Sequence, residues 1–264
     1  MKIATWNVNS IRIREPMLKR FVDAHKPDVL CLQETKVDDP QFPHEIVQNL
    51  GFKHVLFAGE KSYNGVAILA KKPLKHVATY DMIGNGQKRH IAVELFNGLH
   101  VHNFYVPAGG DIPDPEANHK FDEKLRFVEA MKDWSQQEVK KHHKTVIVGD
   151  FNIAPLEHDV WSSKQLRNVV SHTPIEREKL TELQHLSGGW VDAMRLLTPH
   201  EQKLYSWWSY RNKDWEKSDR GRRLDHVWFT PALKSELKSG AILREARNFE
   251  NPSDHVPVVI ELAL

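Results

Sequence analysis

Cysteine is almost absent from the chain of 264 residues, since Cys31 is its only representative. No disulfide can therefore form within the chain, and a zinc site built from several cysteines is excluded. Long apolar runs are absent as well, because no stretch approaches the roughly 20 apolar residues that span a bilayer. The opening stretch, MKIATWNVNSIRIRE, lacks the apolar segment and cleavage site of a secretory signal. We therefore expect a cytoplasmic protein with no membrane segment.

An excess of charge of one sign is also missing. Lys and Arg number 37 and Asp and Glu number 35, which gives a formal net charge of +2. Binding through overall charge, as histones bind DNA, is thereby excluded, so local patches would have to hold any anionic partner. With 40% hydrophobic and 27% charged residues the composition is that of a globular protein, and we expect one domain over residues 1–264.

Short strand-like runs alternate with helical periodicity, which favours an α/β fold over a helical bundle or an all-β sandwich. Apolar residues spaced by three or four and flanking prolines predict helices over residues 15–25, near 46–50, over 118–134 and around 175–186. Asn97-Gly98 matches a tight hairpin turn. Strands are predicted, in chain order, at KIATWNV, DVLCLQE, KHVLFA, GVAILA, HIAVELF, LHVHNFYV, TVIVGD, RLDHVWF, GAILREA and VPVVIEL.

Four acidic residues are each joined to an apolar run: Glu34 and Asp150 follow one, whereas Asp225 and Asp254 precede one. Because strand ends in α/β sheets meet at one edge, where ligands tend to bind, we expect these carboxylates to cluster. Several acids in one pocket are best tolerated around a cation, and oxygen ligands without thiolates indicate Mg²⁺, with Mn²⁺ as the alternative. Considered alone, each acid is more often a helix cap or a solvated turn residue.

The neighbours of these acids strengthen the case for chemistry. His255 follows Asp254, Asn152 lies two residues after Asp150, and Asn7 ends the first predicted strand. A base, an orienting acid, amide donors and metal ligands are the groups that hydrolysis of a phosphate ester needs. The sequence does not support a P-loop nucleotide hydrolase or a serine hydrolase, since it contains neither a Walker-type phosphate loop nor a nucleophile-elbow serine motif.

A longer series of motifs runs through the chain in the order WNVNSIR, LCLQETK, YNGVAIL, YVP, GDFN, YSWWSYR, RGRRLDH and SDHVPV. With these motifs the sequence resembles exonuclease III-type apurinic/apyrimidinic (AP) endonucleases of the endonuclease/exonuclease/phosphatase superfamily. The resemblance extends from residue 2 to residue 262. It implies a four-layer α/β sandwich, in which two mixed β-sheets pack face to face with helices on the outside.

The resemblance also implies a catalytic site. Asp150 would orient or deprotonate the attacking water, and Asn152 would donate a hydrogen bond as charge builds in the transition state. His255, held by Asp225, would either bind the scissile phosphate as a cation or act as the base. Tyr105 would hydrogen-bond the phosphate or help to protonate the leaving 3′-oxygen, although a strand tyrosine is by itself more often a packing residue. The implied metal ligands, in one site or two, are Asn7, Glu34, Asp150, Asn152, Asp254 and His255.

The stretch YSWWSYRNKDWEKSDRGRR, residues 205–223, interleaves aromatic residues with cations. Such a mixture suits a surface that binds phosphates and a displaced nucleotide. The same sequence is also consistent with a core strand followed by a solvated basic loop. The resemblance implies a pocket for the abasic nucleotide that Trp207 and Leu224 line. Arg222 departs from the family pattern, because this wall position is usually apolar, and a cation there could contact a phosphate or stack on the deoxyribose. The resemblance puts three further residues near the DNA backbone, namely Lys36, Tyr63 and Arg89.

The predicted function is that of a DNA-repair phosphodiesterase that uses a divalent metal. It would cut double-stranded DNA on the 5′ side of an abasic site, leaving a 3′-hydroxyl and a deoxyribose 5′-phosphate, and would act on 3′-blocked ends as a 3′-to-5′ exonuclease and 3′-phosphatase. We expect a monomer. Two alternatives stay open, a superfamily phosphatase or phosphodiesterase with a small or lipid substrate and a nucleic-acid-binding protein without catalysis. The Trp-rich basic stretch and the intact catalytic positions argue against them.

Overall fold

The computed structural model describes residues 1–186 and 189–264 and contains both strands and helices. No helix within these ranges has both the length and the apolar character needed to cross a membrane. The strands are β1 (Lys2–Asn7), β2 (Val29–Gln33), β3 (His54–Ala58), β4 (Val66–Ala70), β5 (Leu74–Ala78), β6 (His90–Leu95), β7 (His100–Tyr105), β8 (Thr145–Asp150), β9 (Val191–Asp192), β10 (Asp225–Phe229), β11 (Leu237–Ile242) and β12 (Val258–Leu262). The α-helices are α1 (Glu15–His25), α2 (His44–Asn49), α3 (His119–Glu138), α4 (Ser163–Leu166), α5 (Pro174–Leu186), α6 (Ala193–Leu197) and α7 (Trp215–Ser218).

The strands form two six-stranded sheets. The first has the order β11-β12-β1-β2-β4-β3, and the second has the order β5-β6-β7-β8-β10-β9. Both sheets are mixed, because β1 pairs in parallel with β2 and β7 with β8, whereas the other neighbours are antiparallel. One apolar core, with side chains from both sheets, fills the space between them. The strands β2, β4 and β8 are buried along their whole length, because both of their faces are covered.

Helices cover the outer face of each sheet. On the first sheet, α1 buries Leu18 and Phe21, and the Phe21 ring meets the Trp6 ring of β1 edge-on at 5.4 Å. On the second sheet, α3 and α5 contribute Met131 and Leu180 to an apolar cluster with strand residues. The layers therefore follow the order helix, sheet, sheet, helix, and the predicted four-layer α/β sandwich is confirmed.

The edge strands differ most from the sequence prediction. The edge strand β5 is not predicted, because exposed polar side chains of the kind that protect sheet edges interrupt its apolar pattern. For β11, also an edge strand, the pattern predicts residues 240–246, but the strand begins and ends earlier and Arg244–Asn248 form a 3₁₀ helix. The turn predicted at Asn97-Gly98 joins β6 to β7, and Gly98 takes a φ of 75° there.

The register of the second sheet brings three of the candidate residues side by side. Tyr105 at the end of β7 lies opposite Asp150 at the end of β8, and Asp225 at the start of β10 lies opposite the same residue. The close approach of β7 to β8 requires glycine at position 149, where a Cβ would lie 1.8 Å from the carbonyl oxygen of Phe104. Hydrogen bonding between strands therefore sets these three positions.

Candidate active site

Strand ends from both sheets meet at one end of the molecule. Asn7 ends β1 and Glu34 follows β2 in the first sheet, whereas Tyr105 and Asp150 end β7 and β8 in the second. The loop before β12 adds His255, which is buried. The structure therefore brings together the acids that the sequence places at separate strand ends.

Asn7 connects the two sheets at this point. Its Nδ2 donates hydrogen bonds to Glu34 Oε1 and to Asp150 Oδ2, both at 2.9 Å, and its Oδ1 accepts one from the backbone N–H of Asn9 at 3.1 Å. The side chain is fully buried. Because three hydrogen bonds fix the amide, the spacing between the two carboxylates is fixed as well.

Glu34 is held as a carboxylate by its neighbours. Lys36 Nζ lies 2.8 Å from Glu34 Oε2, and the Tyr105 hydroxyl donates to Oε1 at 2.8 Å. Burial raises the pKa of Glu34, but the charge of Lys36 and hydrogen bonds from Asn7, Lys36 and Tyr105 outweigh it, so the net pKa is lowered. The backbone of Glu34 has a φ of 52°, an uncommon conformation for a side chain of this size that recurs at functional sites.

His255 lies between two carboxylates. Its Nδ1 is 2.8 Å from Asp225 Oδ2, its Nε2 is 3.6 Å from Asp150 Oδ2, and the Ser206 hydroxyl donates to Asp225 Oδ2 at 2.6 Å. Burial lowers the pKa of His255, but the charges of Asp225 and Asp150 outweigh it and raise the pKa to about 10. Burial is also the main cause of the raised pKa of Asp150, and the His255 charge opposes it. The arrangement therefore favours an imidazolium at His255.

Asn152 faces the same carboxylate. Its backbone N–H donates to Asp150 Oδ1 at 2.9 Å, and its Nδ2 donates to Asp150 Oδ2 at 3.1 Å and to the Val106 carbonyl at 2.9 Å. The φ of Asn152 is 53°, a conformation that asparagine tolerates better than most residues do. The turn after β8 thus directs the Asn152 amide back toward Asp150.

The donor atoms present suit a hard divalent cation. One ligand atom each from Asp150, Asp225 and His255 lie within 4.8 Å of one another. Asp225 Oδ1 is buried and has no hydrogen-bond partner in the described part of the chain. Carboxylate oxygens in the absence of thiolates are typical ligands of Mg²⁺ or Mn²⁺. The residues therefore fit a metal site. This group differs from the ligand set that the resemblance implies, because it includes Asp225, and both that set and the identity of the ion stay predictions.

A cavity of about 750 Å³ opens above these residues, and its walls include Trp207, Arg222 and Leu224, the residues predicted to surround the abasic nucleotide. Trp207 Nε1 donates to Asp254 Oδ2 at 2.9 Å, and the Arg222 guanidinium lies 5.2 Å from the Trp207 ring centre. Arg222 Nη1 donates to the Val170 carbonyl at 3.0 Å and to Ser171 Oγ at 2.8 Å. The candidate residues that line the cavity are Glu34, Tyr105, Asp150, Asn152, Trp207, Arg222, Leu224, Asp254 and His255.

The three residues predicted to lie near the DNA backbone do not line the cavity. Lys36 pairs with Glu34, and the Arg89 guanidinium stacks 4.7 Å from the Tyr105 ring centre, so both act on residues of the site. Tyr63 is 69% exposed and does not line the cavity. Their roles in DNA binding stay predictions.

Sequence reasoning missed several residues that support the site. Ser206 bonds Asp225, and Ser171 bonds Arg222, but an isolated serine gives no recognisable signal. Lys124 is different, because it is a charged residue on the buried face of α3, beside Phe121 and Leu125. A lysine within an apolar helical stripe is a readable signal of a buried polar contact.

Comparison with known proteins identifies the fold's family. The model of the endonuclease/exonuclease/phosphatase family matches residues 4–255. The chain belongs to this family.

Within the family, the chain is similar over its whole length to DNA nucleases. It is 33% identical to exodeoxyribonuclease III of Haemophilus influenzae, covering 99% of each chain. It is 31% identical to the DNA repair nuclease APEX1 of Danio rerio, covering all of this chain and 83% of the relative.

Solved structures agree with these relatives. An AP endonuclease from Archaeoglobus fulgidus has a TM-score of 0.92 at 33% identity, with 100% of both chains covered. The 3′ phosphatase NExo from Neisseria, bound to a product DNA hairpin, has a TM-score of 0.90 at 33% identity, again with 100% of both chains covered. The resemblance to exonuclease III-type AP endonucleases is therefore confirmed.

The position of His255 between two carboxylates leads to a testable prediction for the metal-free protein. In an NMR titration, the imidazole should stay protonated until the pH nears about 10, and Asp225→Asn should lower this pKa by removing the main attraction. The folded-state pKa of His255 lies above the ordinary histidine value of about 6.5. The protonated imidazole therefore stabilises the folded protein fully below pH 6.5, and this contribution to the free energy of unfolding is lost as the pH rises through about 10.

Asp122→Asn, on the exposed surface of α3, serves as the control and should leave the His255 titration unchanged. A wild-type midpoint at the ordinary histidine value would contradict this description of the site.

Proposed function

We propose that this protein is a DNA-repair phosphodiesterase that hydrolyses the backbone of double-stranded DNA on the 5′ side of abasic sites. The products would be a 3′-hydroxyl and a deoxyribose 5′-phosphate, and 3′-blocked ends would be trimmed by 3′-to-5′ exonuclease and 3′-phosphatase activity. The observation that carries the proposal is the convergence of Glu34, Asp150 and His255, from different segments of the chain, on one cavity, with the buried Asn7 amide joining the two carboxylates behind it. The names of the relatives, which are DNA nucleases, favour DNA over a small or lipid substrate.

The proposal includes a divalent metal, Mg²⁺ or alternatively Mn²⁺. Glu34 with Asn7 would hold it at one position. If a second ion binds, Asp150, Asn152, Asp254 and His255 would hold it, and His255 would then be deprotonated, because a protonated imidazole has no lone pair for a metal. Bound there, the ion would supply positive charge to the phosphate oxygens and lower the pKa of water. Asp225 Oδ1, which has no hydrogen-bond partner within residues 1–186 and 189–264, and the grouped ligand atoms beside it support a cation in this region.

The protein's own groups have separate tasks in the proposed reaction. Asp150 accepts a proton from the attacking water, because its buried carboxylate lies beside the cavity. Asn152 exchanges the hydrogen bond from its Nδ2 to Asp150 for one to the phosphate as negative charge builds there. When a single ion is bound at Glu34, His255 binds the phosphate as a cation, since two flanking carboxylates favour its protonated form. Tyr105, in contact with Glu34, hydrogen-bonds the leaving 3′-oxygen and helps to protonate it to the 3′-hydroxyl.

The walls of the cavity give a basis for selecting abasic sites. An abasic nucleotide has no base to unstack, so turning it out of the duplex costs less than turning out an intact nucleotide. Trp207 and Leu224 would receive the deoxyribose, and Arg222 would add a cation to the same wall. Lys36, Arg89 and Tyr63 would contact the backbone nearby. We also propose a monomer, because one chain supplies the whole site, and a cytoplasmic location, where a single cysteine stays reduced.

A duplex oligonucleotide with one tetrahydrofuran abasic analogue tests substrate, reaction and metal together. We expect Mg²⁺ to support a single cut on the 5′ side of the analogue and EDTA to abolish it. Asn152→Ala should fold normally but cut about 10² to 10³ times more slowly, because one charge-stabilising donor is lost.

The control for this substitution is Asn49→Ala at the end of α2, outside the cavity lining, which should cut at the wild-type rate. Cutting in EDTA, an intact duplex in Mg²⁺, or full activity of Asn152→Ala would each count against the proposal.

A further inference from the structure

A buried ion pair lies directly behind the candidate active site. Lys124 and Glu176 have fully buried side chains, and Lys124 Nζ lies 2.5 Å from Glu176 Oε1. The same ammonium donates to the carbonyl of Asn152 at 2.7 Å and to the carbonyl of Ala108 at 3.2 Å. Its three donor directions are therefore used by three different segments of the chain.

Glu176 holds a second turn, the one that contains Ser171 and Thr173. Both of its carboxylate oxygens accept from the backbone N–H of Ser171, each at 2.9 Å, and Oε2 also accepts from the N–H and the hydroxyl of Thr173. The contacts with Thr173 form a capping box at the start of α5, but the bonds to Ser171 and Lys124 are additional to that motif.

The segments that the pair holds all contribute to the cavity. Asn152 supplies the amide that faces Asp150, and Ser171 bonds Arg222 on the pocket wall. Both have left-handed backbones, with φ values of 53° and 88°, which persist only where their surroundings hold them. One ion pair thus supports two strained turns on different sides of the site.

The course of the Lys124 side chain restricts the neighbouring loop. A Cβ at Gly109 would lie 2.8 Å from Lys124 Cδ and 3.1 Å from Val170 Cγ1, so only glycine fits beside the lysine. Full burial of both charges is costly, and apolar residues of similar volume often serve stability equally well. Apolar residues at these two positions could not, however, form the directed hydrogen bonds that hold the three segments.

We propose that Lys124 and Glu176 are positioning residues that hold the Asn152 amide and the Ser171–Arg222 wall in one fixed arrangement. This inference rests on the proposed function, because Asn152 is its catalytic donor. Removing the pair would leave the catalytic groups present but misplaced, and small misplacements reduce the catalytic rate more than they reduce binding.

The test compares two double variants of the full chain on the tetrahydrofuran duplex. Lys124→Met/Glu176→Gln removes the pair without leaving one buried charge unpaired. We expect kcat to fall about 10²-fold and KM to change less than about threefold. The matched control is Lys179→Met/Glu129→Gln, which removes a 2.8 Å ion pair between the same helices, α5 and α3, away from the cavity, and should leave kcat within about twofold of wild type.

Thermal unfolding of each variant is measured in parallel, and rates are compared well below the lowest midpoint. Glu176→Gln alone, which preserves the shape of the side chain, provides a second variant with the same expected split between kcat and KM. A folded pair variant with wild-type kcat would overturn the proposal. So would failure of both variants to fold while the control folds, because the pair would then be a stability element only. An inactive wild type and control would instead reject the proposed function.

Discussion

Two hydrogen bonds from one buried amide connect the sheets where the site is built. Asn7 belongs to the first sheet, and its Nδ2 donates to Glu34 on that sheet and to Asp150 on the other. The sandwich therefore has a fixed spacing at this end, and the carboxylates that face the cavity cannot separate without losing a buried hydrogen bond. The positions of His255 and Asn152 follow, because both contact Asp150.

The site also buries several charged side chains, and this burial constrains which groups can lie beside them. Asp150, Asp225 and His255 are removed from water, so each carboxylate needs a compensating cation or hydrogen-bond donor. Lys36 compensates Glu34, and His255 compensates the two aspartates. Asp225 Oδ1 is left without a hydrogen-bond partner among the residues that the structure describes. A polar cluster arranged in this way is suited to receiving a further cation together with an anionic phosphate.

Much of this arrangement was readable in the sequence, because burying an acid or an amide at the end of an apolar strand is costly unless that side chain binds a partner there. The motif GDFN predicts a strand followed by a turn, and Asp150 and Asn152 lie there. The edge strands β5 and β11 are less predictable, because many of their side chains face solvent and the apolar pattern of a buried strand is therefore interrupted. Lys124 and Glu176 lie 52 positions apart, and only the packing of α3 against α5 behind the cavity brings them together.

The proposed chemistry depends on a divalent cation held between strand ends of the two sheets. Anomalous diffraction from crystals soaked in Mn²⁺, with Glu34→Gln crystals as the comparison, tests for this cation directly. We predict an anomalous peak in contact with the Glu34 carboxylate, beside Asp150 and inside the cavity, that weakens or disappears in Glu34→Gln. A peak only at surface carboxylates, or an unchanged peak in Glu34→Gln, would show that the strand ends do not hold the ion.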